Sequence, residues 1–230
     1  MSTMKKECCV TLLSCGKKYN SFLLKNIQED LEFKKMTSDL DLLITTDDPD
    51  FFSESGAKRV FKIEPEFLKD IRPNRRMKWF NFHQKREAIR NALTEGYTKI
   101  FYVDSDVKIR TWDKDFFTDR EEGFWFRRIL TKENHIEKYK FYSELFAVNL
   151  WHYWRPVSEK IMYINAHKHK IDGFLNTWGY LDTISRGKVN PYTEGNEILI
   201  ALRFNAAQVR IYKPDPFKSK LKYMVDNFGR

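Results

Sequence analysis

The sequence lacks the features that mark a secreted or membrane-spanning protein. No apolar run approaches the length that crosses a bilayer, and residues 1–7 contain no apolar signal region. Three cysteines occur, all between positions 8 and 15, which argues against a disulfide framework and supplies too few ligands for zinc. These absences predict a soluble cytoplasmic protein with buried thiols. A peripheral contact with a membrane surface stays open.

Linkers are also missing, because no stretch rich in Gly, Ser or Pro divides the 230 residues. A chain of this length can bury one substantial core, so we expect a single domain spanning residues 1–230. A hydrophobic content of 42% indicates a globular protein, and 16% aromatic residues is enough for flat stacking surfaces as well as a core.

Against this background one stretch, residues 95–109, carries the strongest signal. It reads Glu-Gly-Tyr-Thr-Lys-Ile-Phe-Tyr-Val-Asp-Ser-Asp-Val-Lys-Ile. Gly96 ends a helix, Lys99 to Val103 suits a buried parallel strand, and Asp104 and Asp106 follow directly. Ligands of open α/β sheets bind beyond the carboxyl ends of strands, and a turn at Ser105 would let both carboxylates converge. Hard oxygen donors without Cys or His suit Mg²⁺ or Mn²⁺, although Asp-x-Asp alone is often only a polar turn.

The run Ile-Phe-Tyr-Val-Asp-Ser-Asp-Val at positions 100–107, preceded by Lys-Arg-Glu-Ala-Ile-Arg-Asn-Ala-Leu at 85–93, resembles the D-x-D region of GT-A-fold glycosyltransferases. The resemblance covers about residues 8–109. It implies an α/β, Rossmann-like domain with a mostly parallel central sheet flanked by helices. It also implies that Asp104 and Asp106 hold a divalent cation on the diphosphate of a nucleotide-sugar donor, with Asp104 contacting the donor as well.

Strands and helices alternate through the first half, which predicts a parallel sheet with right-handed crossovers. We expect strands over residues 7–14, 39–46 and 58–63, and a helix over residues 19–36. The ends of the first two strands place Ser14, Cys15 and Asp47 at the edge that holds the aspartates. In the resembled family these strand ends cradle the nucleoside, which makes Asp47 a candidate for contacting the base. Asp47 as a simple turn cap is the alternative.

Positive charge is concentrated in residues 69–90, which contain eight basic residues and two acidic ones. Such a block suits a solvated face, a nucleic-acid patch or a phosphate-binding surface. A helix predicted over residues 76–95 would run antiparallel to the strands, so its amino-terminal half lies level with their carboxyl ends. Arg76, Lys78 and Lys85 would then face the diphosphate.

The second half is less regular. We expect strands over residues 123–127, 144–149 and 209–213, with Trp125, Phe146 and Val148 in the core, and a helix over residues 152–167. Residues 167–170, His-Lys-His-Lys, are interpreted as a solvated turn, with one of the two histidines as a third metal ligand as the alternative. Residues 173–182 combine turn formers with aromatics, so Trp178 and Tyr180 are candidates for stacking on an acceptor sugar, with core packing as the alternative.

A helix start is predicted near residues 192–197. Inverting members of the resembled family often carry their catalytic carboxylate at such a position, which makes Glu197 the first candidate for general base, ahead of Glu194 and Asp182. Favourable interaction of Glu194 and Glu197 with the helix dipole is the alternative. If the reaction retains configuration, no such base is needed.

The sequence therefore predicts a metal-dependent glycosyltransferase, hexosyl or pentosyl, that moves a sugar from a nucleoside diphosphate, expected to be UDP, to a hydroxyl of a glycan or other acceptor. About residues 1–110 would bind the donor and about 111–230 the acceptor. A sugar-phosphate nucleotidyltransferase is a rival, although no Gly-rich Arg/Lys signature follows the first strand. A basic nucleic-acid-binding module is the other, and no nucleic-acid partner is expected if the enzyme prediction holds.

Overall fold

The computed structural model shows an α/β fold in which a long sheet is covered by helices on both faces. It describes residues 7–63, 84–109, 111–115, 120–128, 133–150, 157–185, 188–189, 195–211 and 225–227. The strands are β1 (Cys8–Ser14), β2 (Asp41–Thr46), β3 (Arg59–Lys62), β4 (Lys99–Val103), β5 (Val107–Ile109), β6 (Gly123–Arg128), β7 (Val157–Asn165), β8 (Val209–Ile211) and β9 (Val225–Asn227). The α-helices are α1 (Lys17–Glu29), α2 (Leu31–Asp39), α3 (Lys85–Thr94), α4 (Glu133–Leu145), α5 (Lys168–Ser185) and α6 (Gly195–Phe204), and a 3₁₀ helix spans Pro49–Phe52.

Seven strands form the main sheet in the order β3-β2-β1-β4-β7-β6-β8. Strands β3, β2, β1 and β4 are mutually parallel, and β6 and β8 are parallel to each other. Strand β7 lies between β4 and β6 and pairs with both in the antiparallel sense. The mostly parallel sheet expected from the alternation of strands and helices is thus confirmed. A separate antiparallel pair joins β5 to β9.

Two hydrophobic clusters lie on opposite faces of this sheet, and β1 contributes to both because successive side chains of a strand point to opposite faces. Cys9 and Leu13 belong to the cluster that α3, α5 and α6 cover. Cys8, Val10 and Leu12 belong to the cluster that α1 and α2 cover. Both faces of the central strands are therefore buried, as their continuous apolar runs predict.

The helix predicted over residues 19–36 is two helices that meet at Asp30. The Asp30 side chain accepts hydrogen bonds from the backbone N–H groups of Glu32 (2.9 Å) and Phe33 (3.0 Å). These bonds satisfy donors at the start of α2 that would otherwise lack an intrahelical partner. The capping side chain therefore starts a second helix within one apolar pattern.

Three further predictions in the second half are wrong. Residues 157–165 form strand β7, not a helix, because Ile161 to Ile164 are buried in succession and leave no polar helical face. Residues 144–149 are the end of α4 and a turn, in which Val148 is exposed and Phe146 only partly buried. Residues 173–182 lie inside α5, not in a turn.

Helix α5 forms despite its two glycines because its apolar residues recur at helical spacing. Phe174, Leu175, Trp178 and Leu181 are fully buried on one face. A Cβ atom added to Gly173 would lie 2.3 Å from the side-chain oxygen of Asn205, so this glycine lets the end of α6 approach closely. Glycine at this position is therefore explained by packing between helices, not by a turn.

Within the part of the chain that the structure describes, no helix is both long and apolar enough to cross a membrane.

Candidate active site

The ends of three neighbouring parallel strands meet at one edge of the sheet. Ser14 at the end of β1 is in register with Thr46 at the end of β2, and β4 ends beside them at Val103. The antiparallel β7 begins at the same edge, where the backbone N–H of Asp104 donates to the carbonyl of Lys160 at 2.9 Å. Four neighbouring strands thus end or begin at the edge of the sheet that carries Asp104.

A tight turn carries the two aspartates. The backbone N–H of Val107 donates to the carbonyl of Asp104 at 3.0 Å, which closes a four-residue turn over Ser105 and Asp106. Ser105 is buried, whereas Asp104 and Asp106 are half-buried. The turn at Ser105 is therefore the one expected from the sequence.

Asp104 is held by two side-chain donors. The Nζ atom of Lys85, at the start of α3, lies 3.0 Å and 3.1 Å from its two carboxylate oxygens. The hydroxyl of Tyr102 donates to Oδ1 at 2.8 Å. The Lys85 side chain is only 3% exposed, so this ion pair is largely shielded from solvent and its geometry is fixed by packing.

The electrostatic surroundings of the Asp106 carboxylate differ from those of Asp104. Burial raises the pKa of Asp106, and the negative charge of Asp104 raises it further, while Lys160 and Lys85 act in the opposite direction. Within the described residues its carboxylate accepts no hydrogen bond from another side chain. It is therefore a desolvated carboxylate beside a second one, an arrangement that an additional cation would stabilise.

Two side chains at this site were not found from the sequence. Tyr19 is half-buried in the first turn of α1, and its pKa is raised by burial and then by the charges of Asp106 and Asp104. Lys160, on β7, is near enough for its positive charge to lower the pKa of Asp106. The position of Tyr19 just after β1 was an available signal, whereas Lys160 required knowing that β7 is antiparallel.

A polar cluster ties the ends of β1 and β2 together. Both carboxylate oxygens of Asp47 accept from the backbone N–H of Gly16 at 3.0 Å, and Oδ1 also accepts from Nδ2 of Asn20 at 3.2 Å. The hydroxyl of Ser14 donates to Oδ1 of Asn20 at 2.7 Å. Ser14 and Cys15 are buried, so these residues shape the loop that precedes Tyr19.

The two acceptor candidates lie in different surroundings. Trp178 is fully buried and stacks on Phe174 with 5.5 Å between ring centroids, so its ring faces the core and not a surface where a sugar could stack. Tyr180, two residues further along α5, is 58% exposed. The structure therefore separates this pair, because residues two apart on a helix point in different directions.

Two of the three candidate bases, Glu197 and Asp182, are buried in ion pairs. Glu197, in the first turn of α6, is bound by Lys138 at 2.6 Å and lies 3.1 Å from the hydroxyl of Tyr142. Burial raises the pKa of Tyr142, so its hydroxyl stays protonated. Asp182, on α5, is fully buried and pairs with Arg86 at 2.8 Å. Neither carboxylate is open to an acceptor hydroxyl in this conformation.

Three predicted site residues lie outside the residues that the structure describes, namely Arg76, Lys78 and Glu194. Of the three basic residues predicted to face the diphosphate, Lys85 is the one whose position is described. It does lie against Asp104.

A divalent cation fits the donor set at this edge. Asp106 and Asp104 offer hard oxygen ligands, which Mg²⁺ and Mn²⁺ prefer. Across the described ranges no cluster of three or more His, Cys, Asp or Glu residues could by itself enclose a metal ion. Two carboxylates without a full protein cage are typical of ions that complete their shell with water and substrate phosphates.

No protein-family model matches the chain, and no curated protein matches it in sequence. Among solved structures, it is similar to the galactosyltransferase LgtC in complex with donor and acceptor sugar analogs. The TM-score is 0.57 at 14% sequence identity, and the match covers 90% of this chain and 73% of LgtC. This likeness shows the GT-A glycosyltransferase fold predicted from the sequence.

Proposed function

We propose that the protein is a glycosyltransferase that binds the diphosphate of a nucleotide-sugar donor at the edge formed by Asp104, Asp106 and Lys85. The most direct support is the position of two half-buried carboxylates, Asp104 and Asp106. They lie near lysines from α3 and β7 at the carboxyl ends of parallel strands. In open α/β sheets this edge is where phosphate-bearing ligands bind.

In this proposal Asp106, with Asp104, would hold Mn²⁺ or Mg²⁺. When bound, such an ion neutralises charge on the leaving diphosphate. Lys85 and Lys160 supply fixed positive charge beside the same oxygens, and Arg76 and Lys78 are proposed to add to it. A preorganised charge of this kind stabilises a developing anion without reorganisation during the reaction.

In this proposal Asp47 does not contact the donor but holds the backbone of the loop after β1. Its carboxylate is occupied by Gly16 and Asn20, so it fixes the loop after β1 and thereby the position of Tyr19 at the edge of the donor site. Ser14 and Cys15 would shape the same loop. UDP is the donor nucleotide we propose, with the nucleoside over this loop.

Glu197 stays our first candidate for deprotonating the acceptor hydroxyl, on the condition that donor binding opens its ion pair with Lys138. Glu194 is the alternative at the same helix start. Tyr180, whose side chain is 58% exposed, is the aromatic residue that we propose stacks on the acceptor. The acceptor is proposed to be a glycan or another hydroxyl-bearing molecule bound by residues 111–230.

A product assay tests the proposal. Purified protein is incubated with a panel of nucleotide-sugars and Mn²⁺, with and without chelator. The proposal is supported if the wild type releases nucleoside diphosphate and a folded Asp106→Ala variant does not. The reason is that the cation held by Asp106 should supply most of the rate. Release of pyrophosphate would instead indicate nucleotidyl transfer, and turnover unaffected by Asp106→Ala would contradict the assignment of the site.

A further inference from the structure

Two adjacent residues at the start of α3 make ion pairs in different directions. Lys85 reaches Asp104 at the sheet edge, whereas Arg86 reaches Asp182 on α5, with 2.8 Å between Nη1 and Oδ2. Successive residues of an α-helix are about 100° apart around its axis, so the two side chains fix the rotation of the first turn from two sides. Asp182 is fully buried and the Arg86 side chain is 12% exposed.

The face of α5 that meets α3 accommodates this contact. Gly179 lies three residues before Asp182 and so shares its face. A Cβ atom at Gly179 would lie 3.5 Å from Nε of Arg86, which shows that the guanidinium passes directly over this glycine. One turn along α3, Nη2 of Arg90 donates to Oδ1 of Asn176 at 3.2 Å. The two helices are therefore joined by two side-chain contacts, of which the ion pair of Arg86 with Asp182 is the buried one.

Among the described residues, no side-chain hydrogen bond caps the first turn of α3. Gln84, at the amino-terminal cap position, makes no capping hydrogen bond through its side chain. The common way to satisfy and fix a helix start is thus not used here. The ion pairs described for this turn join Lys85 to Asp104 and Arg86 to Asp182, and Arg86 also lies 3.4 Å from the carboxylate of Glu87 in the same turn.

We infer that Asp182 is a positioning residue of the donor site, which holds Arg86 and through it keeps Lys85 against Asp104. The sequence suggested a catalytic base at this position, but the carboxylate contacts Arg86 and lies in the core. The inference rests on the proposed function insofar as Lys85 contacts the donor diphosphate. The contact itself can be tested without any donor.

Trace acylation of lysines, read by peptide mass spectrometry, provides that test. In the wild type we expect slow labelling of both buried lysines, Lys85 and Lys138. Asp182→Asn and Arg86→Gln should each raise the labelling rate of Lys85 by roughly fivefold or more through local opening, and leave that of Lys138 unchanged. Asn176→Ala is the matched control, since it removes only the exposed hydrogen bond with Arg90. It should leave the labelling rate of Lys85 unchanged.

Two results would overturn the inference. An unchanged rate at Lys85 in both variants would show that its position does not depend on Asp182. A parallel rise at Lys85 and Lys138 would show a general loosening of the core. Arg86→Gln removes the same ion pair from the less buried side, so it decides the question if Asp182→Asn does not fold.

A double-mutant cycle connects the contact to binding. We expect Asp182→Asn to weaken binding of UDP in the presence of Mn²⁺ by about tenfold, and to have no further effect when Lys85 is already alanine. Losses that add in the double variant would contradict an action through Lys85. If the wild type binds no UDP, the proposed donor fails while the labelling experiment still decides the role of Asp182.

Discussion

Asp104 and Asp106 are separated by a single residue, yet their surroundings differ. Asp104 is compensated by Lys85 and Tyr102, whereas Asp106 is desolvated and repelled by its neighbour. Functional sites commonly carry such an unfavourable charge, because the ligand and not the fold supplies its partner.

We therefore predict that Asp106→Asn stabilises the metal-free protein, because it removes a carboxylate whose charged form the fold disfavours. The gain should be at most about 1 kcal/mol, or roughly 2–4 °C in Tm for a chain of this size. Differential scanning fluorimetry without and with Mn²⁺ measures this. The same substitution should abolish any stabilisation by Mn²⁺.

Asp104→Asn is the matched comparison. It removes the carboxylate that the buried Lys85 contacts, so we expect a loss of about 2 kcal/mol or more. Equal effects of the two substitutions on the metal-free protein would contradict the difference between these carboxylates that the structure shows.

The aspartates themselves could be predicted from the sequence, because a short apolar strand led directly into them. Lys160 and Tyr19 could not be assigned, since their contact with the pair depends on how strands far apart in the chain are ordered. The burial of Glu197 and Asp182 also depends on packing between helices, and a local pattern of residues contains no information about which face another helix covers.

Between helices, small and charged side chains determine how closely the elements approach. At Gly173 the nearest atom to an added Cβ belongs to Asn205, whose amide nitrogen is itself bound to Thr177 and the carbonyl of Ala201, both at 2.8 Å. Asn205 therefore cannot move without losing hydrogen bonds. At Gly179 the added Cβ would meet Arg86 at an ordinary contact distance.

These two glycines give a matched prediction. Replacing glycine by alanine inside a helix normally gains up to about 1 kcal/mol. Gly179→Ala should show this gain or be neutral, whereas Gly173→Ala should cost about 1–3 kcal/mol because Asn205 must shift. Urea denaturation measures both, and a stabilising Gly173→Ala would contradict the close packing of α5 with the end of α6.

The ion pair between Lys138 and Glu197 joins α4 to α6 with both side chains 1% exposed. Lys138→Met should cost about 3–5 kcal/mol, because a buried carboxylate loses its cation. Adding Glu197→Leu should restore much of that loss. The exposed pair of Lys25 with Glu29 is the control, and Lys25→Met should change stability by less than about 1 kcal/mol.

Variants of Lys138 and Glu197 also distinguish a structural role of Glu197 from a catalytic one. A double variant at positions 138 and 197 that regains its stability but has no activity would support Glu197 as a catalytic group. A stable and active double variant would show that this carboxylate serves packing alone. Chemical denaturation and product release, measured on the same preparation, distinguish the two outcomes.

The alternation of strands and helices in the first half could be predicted because apolar runs, glycines and prolines mark each element locally. The second half was less predictable for a physical reason. β7 is apolar on both faces, which a short sequence window does not separate from a buried helix, and α5 contains glycines that ordinarily mark turns.

Strand β1 lies inside the sheet between β2 and β4, and all seven of its residues are buried. All three cysteines are buried in or beside it. Burial raises the pKa of Cys8 and Cys15 to about 12 and that of Cys9 well above its ordinary value. The thiols therefore stay protonated in the folded protein at neutral pH.

We predict that a thiol reagent at pH 8 modifies none of the three cysteines quickly in the native protein and all three in denaturant. Their reaction should follow global unfolding, so variants that lower stability should raise all three rates together. Because Cys8 and Cys15 ionise near pH 9 in the unfolded chain and only near pH 12 in the folded one, these two thiols should also reduce stability as pH rises through that range. Rapid modification of a single cysteine in the native protein would contradict this.

The small sheet of β5 and β9 links two distant parts of the chain. Val107–Ile109 begins one residue after Asp106, and it pairs with Val225–Asn227 over three residue pairs. Three pairs are too few to keep a detached peptide bound. A single proteolytic cut between positions 212 and 224 would therefore separate β9 from the rest of the chain and leave the backbone after Asp106 without its partner strand. We expect such a cut, far away in sequence, to impair the proposed donor site while its own residues stay intact.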